Sequence, residues 1–300
     1  MAESLLTPDL AELVPSWELA LRAQNKSRTT LTSYLSAIRL YLRWCEENGH
    51  PPQLTRGQVQ HYTAELVSDG KEPTTIRARH AALRQFAAWL AEEGELDANP
   101  LVGLPAPQLT TKVVKGLTED QLRALLKACE GRSFTDRRDT AIVRLMAETG
   151  IRSSELVGLK LTDTDAHRGL VNIWGKGGKG RIAPFGPQTA AAIDRYLRVR
   201  RAHRYADAPN LWLGARGKGF GYFGLNDALR ARAAKAGIEG FHLHLLRNTA
   251  ATRWLAAGGS EGGLMAVAGW SSRKMLDRYT AATAAERAAA EARKLNLGDL

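Results

Sequence analysis

The sequence has little cysteine and no long apolar run. Its two cysteines, Cys45 and Cys129, fall in different helical patterns and lack the close spacing of metal-binding pairs. A disulfide framework or a zinc site is therefore not expected. No segment is apolar enough to span a membrane, and the acidic start MAESLLTPDLAEL lacks the basic region of a signal peptide. These absences favour a protein of the reducing cytoplasm with no membrane partner.

Acidic residues are also scarce, but only in one part of the chain. Lys and Arg total 42 against 31 Asp and Glu. The net charge is −3 over residues 1–16, zero over 17–104 and +14 over 105–300. A basic second region beside a neutral first one predicts that the second region meets a polyanion. A GC-rich coding sequence, which favours Ala, Arg and Gly, is an alternative source of the same excess.

Length and periodicity predict two domains. A chain of 300 residues exceeds the usual size of a single core. Apolar residues recur at helical spacing in the first region, which predicts helices at 16–25, 27–49, 55–70 and 73–94. The stretch 99–116 contains three prolines and no amphipathic period. This composition is typical of a linker.

The second region changes period midway. It begins with predicted helices at 117–130, 134–150 and 153–160, and short β-type runs follow at 169–174 and 181–185. Helical patterns then resume at 187–205, 222–237, 244–259, 271–279 and 283–295. The sequence therefore predicts a mainly α fold with a small β-sheet or hairpin.

The glycines between the two β-type runs fit a nucleotide-binding pattern by spacing alone. Gly175, Gly177 and Gly180 match G-x-G-x-x-G, but that loop needs a helix directly after its last glycine. Here Arg-Ile-Ala-Pro-Phe follows, and no GK[ST] of a Walker A loop is present. The segment instead predicts a hairpin with Lys176 and Lys179 at its tip. A cofactor-dependent oxidoreductase is disfavoured, and we expect no cofactor and no metal.

Two helix starts carry residues suited to phosphate chemistry. Arg152 lies in ETGIRSSEL between two predicted helices, three residues before Glu155. His244 and Arg247 are also three residues apart, so they lie on one side of a helix and can share a target. Taken alone, an arginine at a helix junction or a His/Arg pair three residues apart is also common on protein surfaces that have no functional role.

A last segment completes an ordered set of motifs. AGWSSRKMLDRYT contains Trp270 and, nine residues later, Tyr279. Together T-G-x-R-x-x-E-L, G-K-G-x-K-x-R, H-x-x-R, G-[HW] and this tyrosine resemble the tyrosine recombinase (phage integrase) family, of the Xer-like or small integrase type. The match covers most of residues 13–290.

The resemblance implies a fold and its divisions. It implies an N-terminal helical core-binding bundle, SAM-like, and a C-terminal α+β catalytic domain, which together form a C-shaped clamp. The expected divisions are a core-binding domain at 13–100, a linker at 101–116, a catalytic domain at 117–282 and a tail helix at 283–300.

The resemblance also implies a role for each motif residue. Arg152 and Arg247 match the two arginines that clamp the phosphate, and His244 matches the histidine that donates to the phosphate or shuttles a proton. Lys176 matches the lysine that protonates the departing 5′-oxygen. Tyr279 matches the nucleophile, which forms a 3′-phosphotyrosyl bond and so conserves the energy of the ester without ATP or metal.

Three further positions lie in or beside these motifs. Trp270 stands where most relatives have His and some have Trp, and indole only donates a hydrogen bond. It is therefore expected to orient the phosphate or to support the tyrosine. Glu155 is expected to hold an active-site side chain or to act as a helix N-terminal carboxylate. Asn248 stands where a second His is frequent in the family.

The expected DNA contacts are polar and basic residues near predicted helix starts and on the hairpin. Helix starts favour phosphate because their amides point outward. In the first domain these residues are Lys26, Arg28, Lys71, Thr74, Arg77, Arg79 and Arg84, and on the hairpin Lys179 and Arg181. The partner implied by the resemblance is double-stranded DNA with an inverted-repeat core site. Residues 283–300 would dock on a neighbouring subunit in a tetramer on synapsed DNA, or else pack on their own domain.

The implied function is site-specific cleavage and rejoining of DNA strands, in integration, excision or resolution. A non-catalytic DNA-binding or architectural protein on the same scaffold is one alternative, because it would keep the basic surface without using Tyr279. A type IB topoisomerase-like enzyme is another, because it shares the nucleophile but does not exchange partners.

Overall fold

A computed structural model describes residues 9–108, 116–175, 180–217, 219–280 and 284–295. The chain forms two compact units, Met1–Thr111 and Lys112–Leu300. Within the described ranges no helix combines the length and apolarity needed to cross a membrane.

The first unit is a bundle of four helices. These are α1 (Leu10–Ala23), α2 (Arg28–Glu47), α3 (Arg56–Ser68) and α4 (Pro73–Glu92). Side chains of Asp9, Ser27 and Thr55 accept hydrogen bonds from the first turns of α1, α2 and α3, which is why these helices begin where they do. Helix α4 begins with Pro73, whose missing N–H is not needed there.

Helix α1 begins six residues earlier than its sequence pattern predicts. It starts at Leu10 and continues through Pro15, although proline removes one helical hydrogen bond. Leu10 and Val14 are buried in the core of the unit. Their burial offsets the local cost of the proline.

The first residues of the predicted linker pack against the first unit. Leu101 and Leu104 are 1% and 3% exposed and belong to the core of the first unit. The three prolines of the 99–116 stretch favour a linker. Two leucines three residues apart are too few to show an amphipathic period, so the sequence gives no sign that they join the core. The segment from 101 to 104 therefore packs as part of the bundle.

The second unit begins and ends with helices. Helices α5 (Glu119–Ala128), α6 (Phe134–Thr149) and α7 (Ser153–Gly158) come first, and a 3-10 turn (Leu161–Asp163) leads into the sheet. After the sheet come α8 (Pro187–Arg200), α9 (Tyr222–Lys235), α10 (His244–Ala256), α11 (Glu261–Ala268), α12 (Arg273–Thr280) and α13 (Ala284–Leu295). Helix α11 has no counterpart in the sequence prediction, because Gly262 and Gly263 lower its helical propensity. Ser260 nevertheless caps it, and its Leu264 is buried.

The sheet has three antiparallel strands in the order β1 (Thr164–Asp165), β2 (Leu170–Trp174) and β3 (Gly180–Pro184). Val171 pairs with Ala183 and Ile173 with Arg181. Alternate residues of β2 and β3 face the core, so one face of the hairpin is anchored. Lys176 and Lys179, the predicted tip residues, lie outside the described residues.

Candidate active site

Arg152 lies at a sharp junction between two helices. Helix α6 ends at Gly150, whose φ of +62° is a left-handed conformation that favours glycine. Two residues later Arg152 occupies the N-cap of α7, and its backbone N–H donates to a carboxylate oxygen of Glu155 at 2.9 Å. This turn leaves the Arg152 side chain 42% exposed at the rim of a cleft.

Arg247 approaches the same place from α10. Its Nη2 donates to the carbonyl of Ala268 at 2.8 Å, while Nη2 of Arg152 donates to the next carbonyl, Gly269, at 2.9 Å. The other end of the Arg247 guanidinium donates to the Gly150 carbonyl. The two guanidiniums therefore converge on the C-terminal end of α11, where carbonyl groups attract cations.

The proximity of the two arginines affects the pKa of Arg247. Arg247 is only 2% exposed, and burial, together with the positive charge of Arg152, lowers its pKa to about 10. Arg247 still carries its charge at neutral pH. Two guanidiniums this close repel each other, so the site favours an anion between or beside them.

Glu155 holds two of the basic side chains. Its Oε1 accepts from Nη1 of Arg152 at 2.9 Å, and both of its oxygens accept from Arg181, at 2.9 and 2.7 Å. Burial acts to raise the pKa of Glu155, but the hydrogen bonds and charges of Arg181 and Arg152 outweigh it and lower that pKa to about 2. Glu155 therefore caps α7 and binds the side chains of Arg152 and Arg181, and its role in an active site stays a prediction.

Arg181 points into the protein, although its sequence position suggests DNA contact. Besides its two bonds to Glu155, its Nε donates to the Val267 carbonyl at 2.9 Å, and its side chain is 14% exposed. Gly269 lies against it, because a Cβ at that position would come within 2.9 Å of the guanidinium. Arg181 thus links β3 to α7 and α11.

Trp270 and Tyr279 form an aromatic stack beside the arginines. Their ring centroids are 5.0 Å apart with 14° between the planes, and the Arg247 guanidinium lies 5.3 Å from the Trp270 ring centroid. Trp270 and Tyr279 are 5% and 3% exposed. The Tyr279 hydroxyl donates to Oδ1 of Asn248 at 2.8 Å. Among the described residues, the Trp270 indole N–H has no hydrogen-bond partner.

A cleft of about 750 Å³ opens on this group, and its lining includes Arg152, Arg181, Trp174 and Trp270. His244 is exposed at the first position of α10, one turn before Arg247. The structure thus brings together Arg152, Glu155, Arg181, Arg247, Trp270 and Tyr279. Lys176 and Lys179 stay predictions, since they lie outside the described residues.

The predicted DNA contacts of the first unit cluster at the starts of α2 and α4. Exposed side chains there belong to Lys26, Arg28, Lys71, Thr74 and, about three turns into α4, Arg84. Arg77 and Arg79 are half-buried, and Arg79 donates to the Tyr62 hydroxyl at 3.1 Å. A groove of about 320 Å³ lies between the two helices, and its lining includes Ser33, Thr74 and Arg79.

Sequence reasoning missed two partnerships in the site. Asn248 stood out only as a departure from the family pattern, and nothing in its spacing links it to Tyr279, 31 residues away. Arg181 gave no sign that it would bind Glu155. The alternation along β3 is the signal that its side chain points inward, because Arg181 lies on the same face of the strand as the buried Ala183.

Comparison with known proteins identifies the family. Residues 115–286 match the phage integrase family, and residues 13–94 match its N-terminal SAM-like domain. The tyrosine recombinase XerC of Chromobacterium violaceum is 32% identical over 262 residues, which cover 87% of each chain. A XerD of Halalkalibacterium halodurans is 34% identical over 174 residues, 57% of this chain and 58% of that one.

Solved structures agree with this assignment. The crystal structure of XerA recombinase superposes with a TM-score of 0.51 at 26% identity, covering 90% of this chain and 93% of that one. XerH recombinase bound to its palindromic difH substrate has a TM-score of 0.71 at 17% identity, covering 90% and 81%. These matches confirm the expected architecture of a SAM-like helical unit followed by a catalytic domain. The chain therefore belongs to the phage integrase family, whose members are tyrosine recombinases.

Proposed function

We propose that this protein is a site-specific recombinase that cuts and rejoins DNA strands through a covalent 3′-phosphotyrosyl intermediate on Tyr279. One observation supports this most strongly. Arg152 and Arg247 bind consecutive carbonyls directly beside a stacked Trp270–Tyr279 pair. Two paired cations next to a phenol provide what attack on a phosphodiester needs, namely charge neutralisation and a nucleophile.

The two arginines bind the non-bridging oxygens of the scissile phosphate. A guanidinium suits this role because its planar fork binds oxygens in pairs and keeps its charge. Arg247 is buried and held by two carbonyls, so it is rigid, whereas Arg152 is half-exposed and can turn toward DNA. Glu155 and Arg181 brace Arg152 from behind.

The bond changes balance without an outside reactant. The Tyr279 oxygen bonds to phosphorus as the bond between phosphorus and the 5′-oxygen breaks. Lys176 gives a proton to the departing 5′-oxygen, and His244 receives the phenol proton or donates to the phosphate. A 5′-hydroxyl of another strand later reverses these steps and reseals the DNA.

Trp270 supports both the nucleophile and the phosphate. Its ring covers one face of Tyr279, and its buried N–H has no hydrogen-bond partner among the described residues. A phosphate oxygen would satisfy that donor, which offsets the cost of burying it.

The remaining assignments extend from the family. The substrate is double-stranded DNA with an inverted-repeat core site, contacted by residues 13–100 and 117–282 with a linker between them. The active assembly is a tetramer on synapsed sites, joined through residues 283–300. The protein works in the cytoplasm.

A nicked suicide substrate tests the central proposal. Incubation of the wild type with a nicked duplex of the cognate site is expected to trap a covalent protein–DNA adduct, and Tyr279→Phe is expected to trap none. An adduct of equal yield from Tyr279→Phe contradicts the assignment of the nucleophile. An adduct formed equally on random DNA favours a topoisomerase, and DNA binding without any adduct favours an architectural protein.

A further inference from the structure

The hydroxyl of Tyr279 is held by a residue that the reaction scheme above does not use. Its hydrogen points to Oδ1 of Asn248 at 2.8 Å, and both residues are 3% exposed. In a buried place a hydrogen bond between two neutral groups fixes direction well, because water does not compete for either partner. The orientation of the phenol O–H bond is therefore set by Asn248.

Asn248 also closes a ring of contacts. It follows Arg247 on α10, and these two neighbours hold opposite ends of one stack, since Arg247 lies over Trp270 and Asn248 holds the hydroxyl of Tyr279. The same helix thus places a phosphate-binding cation and the nucleophile relative to each other. A small error in that relative placement would lengthen the distance between the attacking oxygen and phosphorus.

The amide is suited to aiming a phenol and unsuited to activating it. An amide oxygen accepts a hydrogen bond but is too weak a base to take the phenol proton. With its hydrogen held on Asn248, the phenol oxygen presents its lone pairs away from that amide. The proton must then leave for another acceptor, and His244 lies one turn earlier on the same helix.

We propose that Asn248 is a positioning residue for the Tyr279 nucleophile, which it aims through its side-chain oxygen. The inference rests on the proposed function, since it concerns the step in which Tyr279 attacks DNA.

The test separates the rate of cleavage from DNA affinity. Asn248→Leu keeps the approximate size of the side chain and removes the acceptor. Asn248→Ala removes it without adding apolar bulk, so the test does not depend on the folding of one variant. With the nicked suicide duplex at saturating concentration, each is expected to form adduct on the order of 10- to 100-fold more slowly than wild type. The Kd for the duplex is expected to change by less than about twofold, because the buried side chain of Asn248 presents almost no surface to DNA.

Two further variants complete the design. Asn248→His is expected to recover most of the rate at pH 8, where an imidazole is largely neutral and accepts a hydrogen bond. Asn226→Leu, the same change on α9 outside the site, is expected to cleave like wild type.

The outcomes separate the role of Asn248 from the recombinase assignment on which it rests. Wild-type rates in both Asn248→Leu and Asn248→Ala overturn the role of Asn248 while leaving the recombinase assignment intact. The role of Asn248 is also overturned if the slower cleavage is accounted for by weaker DNA binding and Asn248→His does not recover the rate. Absence of any adduct from the wild type overturns the recombinase assignment itself, and the inference with it.

Discussion

Arg152 and Arg247, which are 95 residues apart in the chain, donate to the neighbouring carbonyls of Gly269 and Ala268. Each guanidinium keeps its place through backbone acceptors, so the pair persists although the charges repel each other. The charge of Arg152 contributes to the lowered pKa of Arg247. This electrostatic strain is relieved when an anion binds, which leads to the first prediction.

Sulfate is expected to stabilise the protein more than chloride does at equal ionic strength. An anion at ten times its Kd adds about 1.4 kcal/mol to the free energy of unfolding, a rise of about 2 °C in Tm for a chain of this size. Thermal melting in the two salts measures the difference. Arg152→Ala is expected to lose the sulfate effect, and Arg198→Ala, which removes an exposed cation paired with Asp194, is expected to keep it. An unchanged sulfate effect in Arg152→Ala contradicts the proposal of a shared anion site.

Trp270→Phe is expected to slow cleavage about tenfold through loss of one hydrogen bond to the phosphate. The phenyl ring keeps the stack on Tyr279, so folding is preserved, and removal of a buried N–H without a partner leaves stability equal or slightly higher. Suicide-substrate kinetics and urea unfolding measure the two effects. Trp212→Phe is the matched control, because the Trp212 indole is also buried and without a partner in the described structure. Trp212→Phe should change the free energy of unfolding as Trp270→Phe does, and it should leave the cleavage rate unchanged.

Lys176→Ala is expected to slow strand cleavage, and a 5′-phosphorothiolate leaving group is expected to restore the rate. The thiolate leaves without needing a proton. The sulfur substrate therefore restores the rate only if the residue that was removed is the general acid. Rates on the oxygen and sulfur substrates are compared directly. Lys179→Ala serves as the control. It is expected to weaken DNA binding, and the phosphorothiolate is not expected to restore its cleavage rate. If sulfur rescues neither variant, Lys176 is not the general acid.

Glu155→Gln is expected to destabilise the protein in a pH-dependent way. The pKa of Glu155 is lowered from 4.5 to about 2, so its ion pairs stabilise the fold above the unfolded pKa and lose this effect as pH falls toward 2. The shift corresponds to about 3 kcal/mol at neutral pH and roughly half of that at pH 3. Urea unfolding at the two pH values measures the decline. Glu119→Gln, which breaks an exposed pair with Arg253, should cost less than about 1 kcal/mol at either pH. A pH-independent loss in Glu155→Gln contradicts the linkage.

Lys26→Ala and Arg28→Ala are each expected to lower the salt dependence of DNA affinity. A side chain that neutralises one phosphate contributes about one unit to the slope of log K against log salt. Titrations from low to physiological salt measure that slope. Arg22→Ala removes an exposed cation already paired with Glu18 and is expected to leave the slope unchanged. Equal slopes for all three variants would remove α2 from the DNA interface.

Much of the fold could be predicted from the sequence because its signals are local. Helical periodicity and the change to β-type runs before and after the glycines indicate elements that the structure contains. The order of the motifs also predicted the family, which the comparisons confirm. The sequence prediction was wrong where packing overrides local helix propensity. It placed the start of α1 after Pro15, and it missed α11, which contains two glycines.

The sequence by itself determined the residue types available for chemistry, the placement of most helices and the excess of positive charge in the second unit. Only the tertiary structure decided which groups meet. It placed Arg181 on Glu155 and Asn248 on Tyr279, contacts between residues 26 and 31 positions apart. No local pattern encodes such contacts, because they depend on how separate elements pack around a shared core, and each buried polar atom then binds the partner that packing brings within reach.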